Sequence, residues 1–308
     1  MRRRPLPLLL LAAATMLAPV PASAADVAAL ARQEARLATT GWRLTTASAG
    51  WCPAIAPQPG WILSDPRRFD PGDRPDAERT YATRGDGPFI AAIAPGSPAA
   101  RAGLTVGTRL IALEGIPIPI FGDGPTLRID AVIAMLAVHD PAAPLALTDG
   151  DGAVHRLDAA PGCASAFRVE RGGAQAAANG QLVRIRLDLA QSIADDAEFA
   201  AVVAHELAHN ILRHRARLAH DRSIERVRAT EIEADRLSVW LLADAGYDPL
   251  AAVRFWQRHK KPLVRSATHP PRSKRIAAIE AEVAAMRTAR VADPTARPAL
   301  LAAPAPLE

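Results

Sequence analysis

The chain has 308 residues, enough for two modest domains with cores of their own. Its formal net charge is +5, but Arg2-Arg3-Arg4 supply three of those charges, and about +2 remains for the rest. Lysine occurs only at 260, 261 and 274, and the arginines between Arg213 and Arg228 alternate with His, Ala, Leu and Glu without aromatics. That pattern describes the solvated face of two helices and argues against a nucleic-acid partner; peripheral contact with anionic membrane surfaces stays open.

Residues 1–24 read as a signal peptide. Arg2-Arg3-Arg4 is a basic start, Leu6 to Leu17 an apolar stretch, and Ala22-Ser23-Ala24 puts small residues at a cleavage site. The apolar stretch is short and runs into Pro19 and Pro21, a poor membrane span, and no later segment has eighteen uncharged apolar residues. The expectation is an exported, periplasmic protein. In that compartment Cys52 and Cys163 are expected to pair, closing a loop of 111 residues.

Residues 25–50 form an N-terminal helical segment, its periodicity clearest over 26–38 with Leu30 and Leu37 on one side. Prolines at 53, 57, 59, 66, 71 and 75 predict an irregular stretch. Short strands follow at Phe89–Ile93 and Gly107–Leu113, with a short helix at Ala99–Ala102 between them. A helix is predicted over Leu127–Val138, and a hairpin at Ala146–Leu157 turns on Asp149-Gly150-Asp151-Gly152.

Beyond residue 164 the pattern changes. Val183, Ile185, Leu187 and Leu189 alternate with polar residues and predict a half-buried strand over 182–189. Asp195 or Asp196 can cap the next helix. Further helices are predicted at 222–245, from Pro249 to about Lys260, and at 272–289. The Pro- and Ala-rich tail 291–308 is expected to be disordered.

The capped helix carries His205-Glu206-Leu207-Ala208-His209. Residues four apart lie on one helical face, so both imidazoles can bind one zinc ion while Glu206 stands beside it as a general base. Catalytic zinc takes a third protein ligand. If the chain turns around Ala219–Asp221, two antiparallel helices bring His209 and Glu231 to the same height. Asp235, four residues further on the same face, can orient His205. Glu233 is the rival ligand but points about 200° away. His269, Arg275 and Tyr247 are the candidates for stabilising an oxyanion. His214, His220 and His259 read as surface residues.

His205-Glu-x-x-His209 followed by Glu231-Ile-Glu-Ala-Asp235, then His269-Pro270 and Arg275, resembles the HtpX and BepA type of zinc metallopeptidase. This is the gluzincin family forty-eight, which includes the CAAX prenyl endopeptidases. The resemblance implies Glu231 as third ligand, and His269 either as oxyanion donor or as an inhibitory occupant of the fourth zinc position. Gly87-Pro-Phe-Ile-Ala-Ala-Ile93, Gly96-Ser-Pro-Ala-Ala-Arg-Ala-Gly-Leu104 and Gly107-Thr-Arg-Leu-Ile-Ala-Leu-Glu-Gly115 resemble a bacterial PDZ domain. In that likeness Arg84–Phe89 is the carboxylate-binding loop, with Asp86 set against a C-terminal carboxylate.

The expected fold class is α+β. A PDZ-like β-rich domain at 51–163 precedes a mostly helical gluzincin-type domain at 164–290 with a small substrate-binding sheet. The expected function is hydrolysis of unfolded or misassembled envelope proteins, with one Zn2+ per chain, the PDZ-like domain selecting or gating substrate and strand 182–189 receiving it. A latent, chaperone-like peptide binder with a His-blocked zinc site is the alternative.

Overall fold

The computed structural model describes residues 22–119, 122–259 and 269–302. Most of the stretch read as a signal peptide lies outside them, as do Lys260-Lys261-Pro262. The fold is α+β, with several small sheets and a helical C-terminal part.

Helix α1 (Ala22–Ala47) is longer than the periodic stretch 26–38 and begins within the residues expected to leave with the signal. Val27, Leu30, Glu34, Leu37 and Leu44 are buried, a face recurring every three to four residues. Gly41 shares that face, and a Cβ there would lie 2.6 Å from the Phe167 ring. Glycine lets that ring pack directly on the helix. The helix touches both halves of the molecule.

The proline-rich stretch read as irregular contains two strands, β1 (Ile55–Pro57) and β2 (Trp61–Ser64), and helix α2 (Arg74–Tyr81). The prolines fall where they do little harm, at the last residue of β1, in the β1–β2 connection and in the first turn of α2. There follow β3 (Phe89–Ile93), α3 (Pro98–Arg101), β4 (Leu110–Leu113), β5 (Ile116–Pro117), α4 (Leu127–Val138), β6 (Leu145–Asp149), β7 (Val154–Leu157) and β8 (Pro161–Cys163). Strands β5-β4-β6-β7 form one antiparallel sheet, β2 pairs with β3, and β1 pairs with β8. The last ladder sets Ile55 opposite Cys163 and brings Cys52 within bonding reach. The Cys52–Cys163 disulfide is formed, with its Cα atoms 5.4 Å apart.

Two ionic groups are folded into this half. Arg128 on α4 donates to Asp65 at 2.6 Å and to Asp86 at 2.6 and 2.8 Å. Asp86, assigned above to a carboxylate-binding loop, is thus neutralised by an arginine. Glu34 of α1 accepts from Tyr81 at 2.6 Å and from Arg68 at 3.4 Å.

In the C-terminal half β9 (Ala166–Glu170), β10 (Ala176–Ala178) and β11 (Leu182–Arg186) form a sheet in the order β10-β11-β9. The strand predicted over 182–189 ends at Arg186. Leu187 opens α5 (Leu187–Ser192), where Leu189 and Ala190 reach the core as one helical turn. Helix α6 (Asp196–Ile211) is capped by Asp195, whose carboxylate accepts from the Glu198 N–H at 2.9 Å. Then come α7 (His214–Arg217), α8 (Ile224–Asp244), α9 (Ala251–Arg258), α10 (Arg272–Ala292) and α11 (Ala299–Ala302). The described part of the tail expected to be disordered is a finding of the opposite kind. It carries the end of α10 and the short α11, and Leu300 is buried against the core. Among the described residues no helix is long and apolar enough to cross a membrane.

The halves do not keep separate cores. Ile90, Leu110, Leu113, Ile129, Val132 and Leu147 form a cluster within the β-rich half, but Ile62, Phe69, Tyr81 and Phe89 belong to the large cluster around α1, α6 and α8.

Candidate active site

Helices α6 and α8 lie against each other and build the site. On α6 the Nε2 atoms of His205 and His209 are 3.1 Å apart. Glu231 on α8 sets Oε2 3.6 Å from His205 Nε2 and Oε1 3.5 Å from His209 Nε2. A tetrahedral zinc with bonds of about 2.0–2.1 Å needs its ligand atoms roughly 3.3–3.4 Å apart, so these two nitrogens and the Glu231 carboxylate have the spacing of one coordination shell. Two imidazoles and a carboxylate are also a donor set that zinc accepts. Burial and Arg275 work to lower the His205 imidazole, but Asp235 and Glu231 hold it up at about 9. Burial and the neighbouring His205 hold the His209 imidazole well below its usual value. Burial would raise the Glu231 carboxyl, yet hydrogen bonds from His205 and His269 hold it well below the usual carboxylate range.

His205 Nδ1 lies 3.1 Å from Asp235, as the four-residue spacing from Glu231 predicts. Asp235 is held in turn by Arg275, which donates from Nε at 2.6 Å and from a terminal nitrogen at 2.7 Å. Another nitrogen of Arg275 lies 3.3 Å from Glu231, and the guanidinium stacks 4.1 Å from the Trp256 ring. Arg275 is thus committed to Asp235 and Glu231, which leaves it little freedom to act as the oxyanion donor proposed above. Tyr247 also leaves that set, because its ring packs under Arg43 outside the cleft.

His214 is not a surface residue. It is 2% exposed, with Nδ1 2.8 Å from His209 Nδ1 and Nε2 3.0 Å from Glu233. On an unbroken helix, residues five apart would diverge by about 140°. Helix α6 instead ends at Ile211, and Arg213 takes a left-handed φ of 54°, which turns His214 back onto His209. Glu233 accordingly serves His214 and is no ligand. His259 likewise lines the cleft, stacked on Phe255 at 4.3 Å, whereas His220 is exposed as expected.

The site opens into a cleft of about 750 Å³ that Glu206 and His269 also line. Burial pushes the Glu206 carboxyl up to about 7, against the pull of His205, Arg275 and His269. His269 Nδ1 lies 3.0 Å from Glu231. One wall is β10, the edge strand of its sheet; β11, read above as the substrate edge, is the central strand and is paired on both sides. Leu189, Val202, Ala252 and Phe255 add apolar surface to the other walls.

Three protein ligands leave a tetrahedral ion one further position, and a purely structural centre has no use for a carboxylate such as Glu206 beside it. The C-terminal half therefore carries a candidate catalytic metal site. Residues 218–283, which include Glu231, Asp235, His269 and Arg275, match the profile of Peptidase family M48. The chain is similar to the mitochondrial metalloendopeptidase OMA1 of Schizosaccharomyces pombe, 31% identical over 117 residues, which cover 26% of this chain and 35% of that protein. The chain thus spans about a third of the length of the curated relative it matches. No solved structure matches it significantly.

Proposed function

We propose that this chain is an exported, periplasmic zinc endopeptidase that cleaves extended segments of unfolded or misassembled envelope proteins. One observation carries the reading: Glu206 lies beside three convergent ligand atoms at the base of a cleft with a free strand edge. The name of the OMA1 relative, a metalloendopeptidase, supports it. The disulfide supports an oxidising compartment.

His205, His209 and Glu231 would hold the zinc, which when bound supplies a Lewis acid for the scissile carbonyl and acidifies water. Glu206, with its carboxyl near neutrality, takes the proton of the attacking water and returns it to the leaving nitrogen. The backbone of β10 receives the substrate as an added strand, and Ala176–Ala178 leave room for substrate side chains. His269 stands at the cleft to donate to the developing oxyanion. The PDZ-like half selects or gates substrate.

The test is digestion of casein by the wild type and by Glu206→Gln, each with and without a zinc chelator. Cleavage that survives both treatments would overturn the reading. The second reading, a latent peptide binder, is favoured by the His269–Glu231 contact, which parks that imidazole at the ligand shell. It predicts that His269→Ala raises proteolysis with zinc content unchanged.

A further inference from the structure

Behind the ligand His209 lies a row of polar side chains that catalysis as described does not use. We propose that His214, Glu233 and Arg217 form a positioning relay that fixes the tautomer and angle of His209, an inference that rests on the metal-ligand role of His209. The argument is one of counting protons. Only one hydrogen can lie between His209 Nδ1 and His214 Nδ1, 2.8 Å apart. His209 points Nε2 at His205 and Glu231, so a metal there needs the Nε2 lone pair and the proton must sit on Nδ1. His209 then donates to His214 Nδ1. With Nδ1 of His214 taken as acceptor, its other nitrogen, Nε2, is left to donate to Glu233 at 3.0 Å.

The opposite polarity fails at both ends. It would put the His209 proton on Nε2, facing the ligand atoms. It would also turn the His214 Nε2 lone pair toward a carboxylate oxygen. Glu233 thus selects the tautomer of a ligand two residues removed from it in the chain of hydrogen bonds. Arg217 fixes Glu233 in place, donating at 2.7 and 3.4 Å. His205 has the same support in shorter form, since its Nδ1 reaches Asp235 directly and Asp235 is held by Arg275. Both ligand imidazoles are therefore backed by a carboxylate and an arginine, and His209 reaches its pair through one additional imidazole.

The experiment uses the full-length protein, with zinc affinity measured by competition with a chromophoric chelator and the visible spectrum recorded for the cobalt-substituted form. His214→Ala should weaken zinc about 10- to 100-fold and change the cobalt spectrum. His214→Asn places an amide oxygen where Nδ1 stood and should recover most of the affinity. His214→Gln places its amide at the Nε2 end, keeps contact with Glu233 and should not recover it. Equal affinity of the Asn and Gln variants overturns the relay. So does a His214→Ala protein that melts earlier but binds zinc as the wild type does. If the alanine variant fails to fold, the Asn and Gln comparison decides alone. A wild type that binds no zinc would overturn the peptidase reading together with the relay, whereas loss of zinc in His205→Ala but not in His214→Ala would overturn the relay only.

Discussion

Both halves of the molecule bury charge, and they use it differently. In the β-rich half, Arg128 with Asp65 and Asp86, and Glu34 with Tyr81 and Arg68, are closed groups in which cation and anion satisfy each other. In the helical half, His205, His209 and Glu231 converge with their lone pairs on a shared point, while Asp235, Arg275, His214 and Glu233 hold them from behind. Closed groups join elements and contribute to folding. A convergent group conserves binding capacity for something that is not protein. The same residue types serve both ends, and only geometry separates them.

The sharpest test of that contrast lies at Glu206. Glu206→Gln should lower turnover on casein by about two to four orders of magnitude with zinc content and unfolding midpoint unchanged, measured by initial rates, metal analysis and urea titration. A large fall in stability would place Glu206 with the closed groups. The converse test is Arg128→Met, which leaves Asp65, 1% exposed, without its cation. Breaking such a buried pair should cost about 3–5 kcal/mol in urea unfolding, while the protein that stays folded binds zinc at wild-type stoichiometry.

The disulfide should act only on stability. Replacing Cys52 and Cys163 by serine opens the 111-residue loop and should cost about 2–5 kcal/mol, read from the same titration. Unchanged stability would show that the β1–β8 ladder holds without it. The smallest effect is expected at Asp195→Ala, about 1 kcal/mol for a lost helix cap. The Glu198 N–H holds the Asp195 carboxyl below its usual value of 3.8. A depressed folded-state pKa contributes stability at neutral pH and loses it as pH falls through that pKa. The gap between wild type and Asp195→Ala should therefore narrow on acidification below about pH 4. A gap that widens there would reverse the sign assigned to the cap.

The juxtaposition of His205, His209, Glu231 and Asp235 was legible because it is periodic: a four-residue spacing on α6, the same spacing on α8 and a turn between them bring them together without coordinates. His214 was not legible, since its place depends on one left-handed residue, Arg213, and no glycine or asparagine announces the turn there. The edge strand β10 was hidden for another reason. Ala176-Ala177-Ala178 has no alternation to read, and it is a strand only because β11 lies beside it. Strands β1 and β2 were concealed by prolines that tolerate strand ends. Leu300 was concealed by the alanine and proline around it, although it is buried and Leu301 packs beside it on the core.

Helix α1 has a consequence in time. It packs on β3 and β9 in the middle of the chain and on α6 and α8 far beyond it. Synthesis delivers α1 well before α8, which ends at Asp244, about 200 residues after Ala47; at about 5–20 residues per second that is a wait of roughly 10–40 s. Throughout that interval the apolar face of α1 lacks its final partners, and α6 and α8 are not yet both present to gather the ligands. The convergence of His205, His209 and Glu231 is thereby placed late in the order of assembly, about 200 residues after α1.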